Sequence, residues 1–92
     1  MIRSFRHKGL QRLFEKGMKS GIQTQHEHRL RLMLSRLDDS TKASDMDAPG
    51  WKLHPLKGRL KGHWALWIDG NWRLTFTFDG KDAILVDYLD YH

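Results

Sequence analysis

The side chains able to move protons or hold anions cluster in the second half of this chain. His54 sits in Leu53-His54-Pro55-Leu56, with Lys57 three positions further on, past the proline bend. An imidazole and an ammonium at that spacing are able to converge on one substrate. Arg73 falls in Trp72-Arg73-Leu74-Thr75-Phe76-Thr77-Phe78, where apolar and polar residues alternate. The strand period of two puts Trp72, Leu74, Phe76 and Phe78 on a core face and Arg73, Thr75 and Thr77 on a wet one. A guanidinium on a wet sheet face matches the geometry of a phosphate. The run Asp90-Tyr91-His92 sets an aromatic beside an imidazole. Cutting single-stranded RNA calls for that combination, since the ring stacks on a base and the imidazole moves a proton. Singly, each residue has an ordinary explanation: a solvated arginine, a packed histidine, a frayed terminus.

A basic window joins them. Lys52, Lys57, Arg59 and Lys61 lie within residues 51–63 together with His54 and His63, and that stretch contains no acid. It leads directly into the strand predicted to pair with the one carrying Arg73. Lys52, Arg59, Lys61 and His63 are therefore candidate RNA-binding residues. No arrangement points to a metal or a cofactor. His26 and His28 are two apart in a predicted helix and face different ways, and no acidic partner stands at helical ligand spacing. A glycine-rich phosphate loop is also missing.

Composition narrows the classes further. The 92 residues carry 16 Lys and Arg against 11 Asp and Glu, a formal charge of +5, with six histidines besides. That excess favours polyanions or an acidic protein as partners. There is no cysteine, which excludes disulfide scaffolds, thiolate zinc sites and cysteine nucleophiles. No apolar run approaches the roughly 20 residues of a membrane span, and no apolar signal core follows the basic start. The expectation is one soluble, cytoplasmic domain over residues 1–92.

The elements that must position these residues follow from periodicity. Residues 2–5 suit a short edge strand. Leu10, Leu13 and Phe14 make the stripe of a helix that starts near Lys8 and stops at Gly17. Leu30, Met33, Leu34 and Leu37 make the stripe of a second, which starts near Thr24 or Gln25 and leaves through Asp38-Asp39-Ser40. Residues 41–50 are small and polar and read as a connecting loop. Strands are predicted over residues 51–56, with Pro55 near an end or edge, then over 63–68, 71–78 and 83–89. Asp69-Gly70 and Asp79-Gly80 are the turns. The continuously apolar last strand suits a central, doubly covered position. The predicted fold is α+β, with two N-terminal helices on one face of an antiparallel sheet of about four strands.

In this order the fragments resemble one known family, the HigB toxins among the RelE-like ribosome-dependent mRNA endonucleases. The resemblance rests on Ile2-Arg3-Ser4-Phe5, Phe14-Glu15-Lys16-Gly17 and Lys52-Leu53-His54-Pro55-Leu56-Lys57-Gly58. It continues through Gly62-His63-Trp64, Asn71-Trp72-Arg73-Leu74-Thr75-Phe76 and Asp90-Tyr91-His92. Residues 18–50 match only in helical character. The resemblance implies the RelE-like microbial ribonuclease fold. It implies metal-free, cofactor-free cleavage of mRNA in the A site of the 70S ribosome, by attack of a ribose 2′-OH on the neighbouring phosphate. His54 and His92 match the proton-transfer histidines and Arg73 the residue that stabilises charge on the phosphoryl group. Lys57 matches a phosphate-contacting lysine, Tyr91 a stacking or orienting aromatic, and Asp90 a supporting acid. The implied partners are mRNA, ribosomal RNA and a helix-turn-helix antitoxin of the HigA type, with no membrane. A noncatalytic RNA-binding protein and a degenerate toxin that keeps only antitoxin binding are the competing expectations.

Overall fold

The computed structural model describes residues 1–91. Helix α1 (Lys8–Lys16) is capped by the side chain of His7, whose Nδ1 accepts the N–H of Leu10 at 3.2 Å. It stops at Gly17, which takes a left-handed φ of 70° that an L side chain resists. A 3₁₀ turn (Thr24–His26) leads into helix α2 (Glu27–Asp39), and Ser40 closes it. The two stripes read from the sequence form one side of the core. Leu10 and Leu13 come from α1, and Leu30, Met33, Leu34 and Leu37 from α2.

The loop over residues 41–50 is more structured than its composition predicts. It folds into a 3₁₀ turn (Ala43–Met46), and Met46 is completely buried in the main core. Its sulfur accepts the Ser40 hydroxyl at 3.2 Å. A single methionine among polar neighbours carries no periodicity, so the sequence has no pattern from which to place it.

Strands β1 (His54–Pro55), β2 (Trp64–Asp69), β3 (Trp72–Asp79) and β4 (Asp82–Asp90) form an antiparallel meander in the order β1-β2-β3-β4. The strand predicted over residues 51–56 shrinks to two paired residues. Lys52 adopts a positive φ of 51°, and the Trp51 carbonyl accepts the Trp67 N–H at 2.8 Å outside the strand register. The last strand is not central as predicted. It is one of the two outer strands of the four, and its apolar sequence serves a different neighbour. Residues 1–6 lie along its edge, with two isolated parallel bridges, Ile2 to Ala83 and Phe5 to Val86. The predicted N-terminal strand thus exists only as those bridges, held by Arg3 N–H to Ala83 C=O and Arg6 N–H to Val86 C=O, both at 2.8 Å.

Midway along β4 the register slips. Thr75 pairs with Asp87 and Thr77 with Ile84, so Leu85 and Val86 together oppose Phe76. Leu85 takes a φ of 56°, rare for a branched side chain, and the Ser4 hydroxyl accepts its N–H at 2.8 Å. A bulge of this kind bends the strand locally and strengthens its twist.

Candidate active site

Residues directly opposite one another in an antiparallel sheet share a face. The pairings His54–Ala65, Ala65–Thr75 and Thr75–Asp87 therefore form one row across the sheet. Trp67–Arg73 and Arg73–Leu89 form the next row toward the β2–β3 hairpin. Both rows lie on the face away from Leu66, Leu74 and Tyr88, which belong to the core. His54 and Arg73, separated by a turn and a whole strand in sequence, come onto one surface in adjacent rows.

His54 is exposed, and its Nδ1 lies 2.8 Å from the Lys52 carbonyl oxygen. A carbonyl only accepts, so the proton of the neutral ring sits on Nδ1 and the lone pair on Nε2. That tautomer suits a base. The left-handed turn at Lys52 brings this carbonyl back toward the ring two residues on.

Arg73 is half-buried. Its Nη1 donates to the carbonyls of Gly70 at 2.9 Å and Trp72 at 3.0 Å. The Asp69-Gly70 turn therefore does more than reverse the chain, because it anchors one corner of the guanidinium and leaves Nη2 and Nε for a ligand. Tyr91 closes this end of the face. Its N–H donates to the Asn71 carbonyl at 2.8 Å, and its ring centre lies 5.9 Å from the Arg73 guanidinium carbon. Asp90 is exposed and pairs with Trp72, so strand alternation gives it the register position of the helix-side face. His92 lies outside the described residues.

Along both rows and past them toward Leu85 the face holds a cleft of about 630 Å³. Thr75, Leu85, Asp87 and Leu89 line it from the sheet, Arg6 from the N-terminal segment, and Lys57, Arg59, Leu60 and His63 from the β1–β2 connection. Lys57, Arg59 and His63 are thus brought together as the basic window predicts. Lys61 is exposed on the same connection but does not line the cleft. Lys52 is held elsewhere, with its ammonium 4.6 Å from the centre of the Trp67 ring. Thr75, predicted to be wet, is only 2% exposed, because it sits among the side chains that line the cleft from three segments. Three cationic side chains against one carboxylate leave the cleft electropositive.

Arg6 and Asp87 escaped sequence reading. Arg6 is one of several scattered N-terminal cations, and only its bond to Val86 brings it to the cleft. Asp87 sits in an apolar run with nothing to mark its face, and the alternation that would have shown it is broken by the bulge. Among the described residues no group of three His, Asp or Glu side chains is placed to hold a metal ion.

An antiparallel sheet with helices on one face and a basic cleft on the other defines a small α+β protein of the kind that suits an anionic ligand. The comparisons sharpen that class. A family model described as the RelE-like toxin of type II toxin-antitoxin system HigB matches residues 3–92. The Endoribonuclease HigB of Proteus vulgaris is 45% identical over 92 residues, covering all of both chains. A crystal structure of a YafQ point mutant from E. coli aligns over 96% of this chain and 91% of its own, with a TM-score of 0.52 and 16% identity, a likeness of fold alone. The chain belongs to the family of RelE-like HigB toxins of type II toxin-antitoxin systems. Membership brings an antitoxin partner and an RNA substrate.

Proposed function

We propose that this toxin is an endoribonuclease that cuts mRNA in the ribosomal A site without a metal, and so stops translation. The observation that carries the reading is the placing of His54 and Arg73 in adjacent rows of one exposed sheet face. His54 there has its lone pair on Nε2, and the Arg73 guanidinium is anchored at one corner. The 45% identity to an endoribonuclease over the full chain supports the same activity.

The reaction runs as an internal transfer. His54 Nε2 takes the proton of a ribose 2′-OH, and the freed oxygen attacks the adjacent phosphorus. The bond from phosphorus to the 5′ oxygen of the next nucleotide breaks. That oxygen takes a proton from an acid, a role assigned to His92. The products are a 2′,3′-cyclic phosphate and a 5′-OH. Arg73 and Lys57 stabilise the negative charge that builds on the phosphoryl oxygens. Tyr91 stacks on or orients a base, and Asp90 supports this end of the site. Lys52, Arg59, Lys61 and His63 bear on the RNA and the ribosome around it. The finer partners are 70S ribosomes with their mRNA and ribosomal RNA, and a helix-turn-helix antitoxin of the HigA type, all in the cytoplasm.

The test is the chemistry of the ends. Fragments from ribosome-bound mRNA are mapped for wild type, His54→Ala and His92→Ala. A cyclic phosphate on the upstream fragment, with cutting lost in both variants, is the expected result. Wild-type cutting by both variants, or a 3′-OH end, would remove the assigned mechanism.

A further inference from the structure

The inner half of the cleft holds more than the reaction above uses. Thr75 is 2% exposed and lines the floor, and its hydroxyl has no hydrogen-bond partner among the described residues. His63 lines the wall, and both of its ring nitrogens are shielded from solvent with no partner among the described residues. An imidazole nitrogen buried without a partner costs about 1–3 kcal/mol unless a ligand or a movement satisfies it. His63 lines the cleft, and the terminal torsion of a histidine ring is broad, so the imidazole can reorient to meet a ligand there. Arg6 and Arg59 enter from opposite walls, supplied by segments more than fifty residues apart. Asp87 is the one acid in the lining, and its Oδ1 already accepts the Tyr88 N–H at 2.9 Å.

We infer that Arg6, Arg59, His63 and Thr75 form a second phosphate subsite, which holds the RNA phosphodiester next to the one being cut. The inference rests on the reading of the face as an RNA-cleaving site and adds to it. Thr75 lies two residues from Arg73 along β3, about 7 Å at strand rise. That is one nucleotide along a single strand. A phosphate seated there accepts from the Thr75 hydroxyl, from a His63 N–H and from two guanidinium groups. It gives the polar groups their partners and fixes the register of the strand on Arg73. The subsite positions the substrate and takes no part in the bond changes.

The test uses the full chain labelled with ¹⁵N-histidine and titrated with inorganic phosphate, following the ring nitrogens of His63 and His54. Wild type should show a saturable His63 shift that chloride at equal ionic strength does not produce. Arg6→Ala should weaken that response about tenfold, the equivalent of one charged hydrogen bond, while the His54 response stays. Arg6 is exposed and holds β4 only through its backbone, so the variant keeps its fold. Lys81→Ala, which removes a charge outside the cleft, should change neither response. A His63 ring unmoved by phosphate, or equally responsive in Arg6→Ala, would overturn the subsite. On programmed ribosomes Arg6→Ala should raise the half-saturating concentration about tenfold with the maximal rate kept. A lower maximal rate at unchanged half-saturation would overturn the positioning role. A wild type that does not cut ribosome-bound mRNA would defeat the ribosomal reading and leave the phosphate titration to stand or fall by itself.

Discussion

At the scale of single residues, the site depends on backbone carbonyls that aim side chains. Arg73 is aimed by the turn at Gly70, and His54 by the carbonyl of Lys52. Removing a preorganised donor to a developing oxyanion costs about 10²–10³ in rate. Arg73→Ala should therefore lower the single-turnover rate of cutting by that factor while circular dichroism stays native. Arg73→Lys should recover little, because an ammonium lacks the fork that binds a turn carbonyl and a phosphate together. A second expectation concerns His7. Burial is the largest cause lowering its pKa below 6.5, followed by Asp87, which opposes, and Arg12, which adds to it. Its Nδ1 must stay unprotonated to accept the Leu10 N–H. A lowered folded pKa means the unfolded chain binds the proton more readily, so the stabilisation is complete above pH 6.5 and fades as pH falls. Melting temperatures of wild type and His7→Asn, which keeps a cap without a titrating ring, should diverge below about pH 6.5 and run parallel above it. Parallel curves throughout would show that the cap does not titrate.

The elements show what periodicity conveys and what it does not. Both helices follow from stripes of period 3.6, β3 from alternation of period 2, and β2 and β4 from apolar runs bounded by turn signals; Gly17, Asp69-Gly70 and Asp79-Gly80 stand at the ends where turn chemistry requires. The arrangement of the site was legible to the same depth. Alternation assigned Arg73 a face, and the acid-free window marked Lys57, Arg59 and His63. Features set by tertiary contact were not legible. Met46 is one buried residue in a polar loop, Leu85 is a bulge without a glycine to announce it, and Arg6 reaches the cleft only because its segment docks on β4. Met46 should behave as core, so Met46→Ala should cost about 3 kcal/mol in chemical denaturation. A loss below about 0.5 kcal/mol would show that the 43–46 turn merely covers the core. Gly17→Ala should cost about 1 kcal/mol from backbone conformation alone, since an added Cβ meets only the Arg31 guanidinium at an ordinary 3.9 Å.

At the level of the whole molecule, the helices cover one face of the sheet and leave the other open. The formal charge of +5 favours polyanionic partners, and the cleft gathers Arg6, Lys57 and Arg59 on the face proposed to take the RNA. Three cationic side chains engaging phosphates predict a slope of roughly −2 for the logarithm of affinity against the logarithm of salt, measured on a 2′-deoxy single strand that is not cleavable. The proposed activity is cutting of mRNA on the ribosome by the side chains of this face. Primer extension on one defined mRNA tests this most directly, with purified protein on programmed ribosomes, on naked RNA, and on ribosomes with a chelator that leaves them intact. Cuts that need the ribosome, fall within the A-site codon and persist with chelator are the predicted result. Cuts on naked RNA would make the protein a free ribonuclease. No cuts on either substrate, with the protein shown folded and free of antitoxin, would contradict the proposed activity and leave a toxin that binds without cutting.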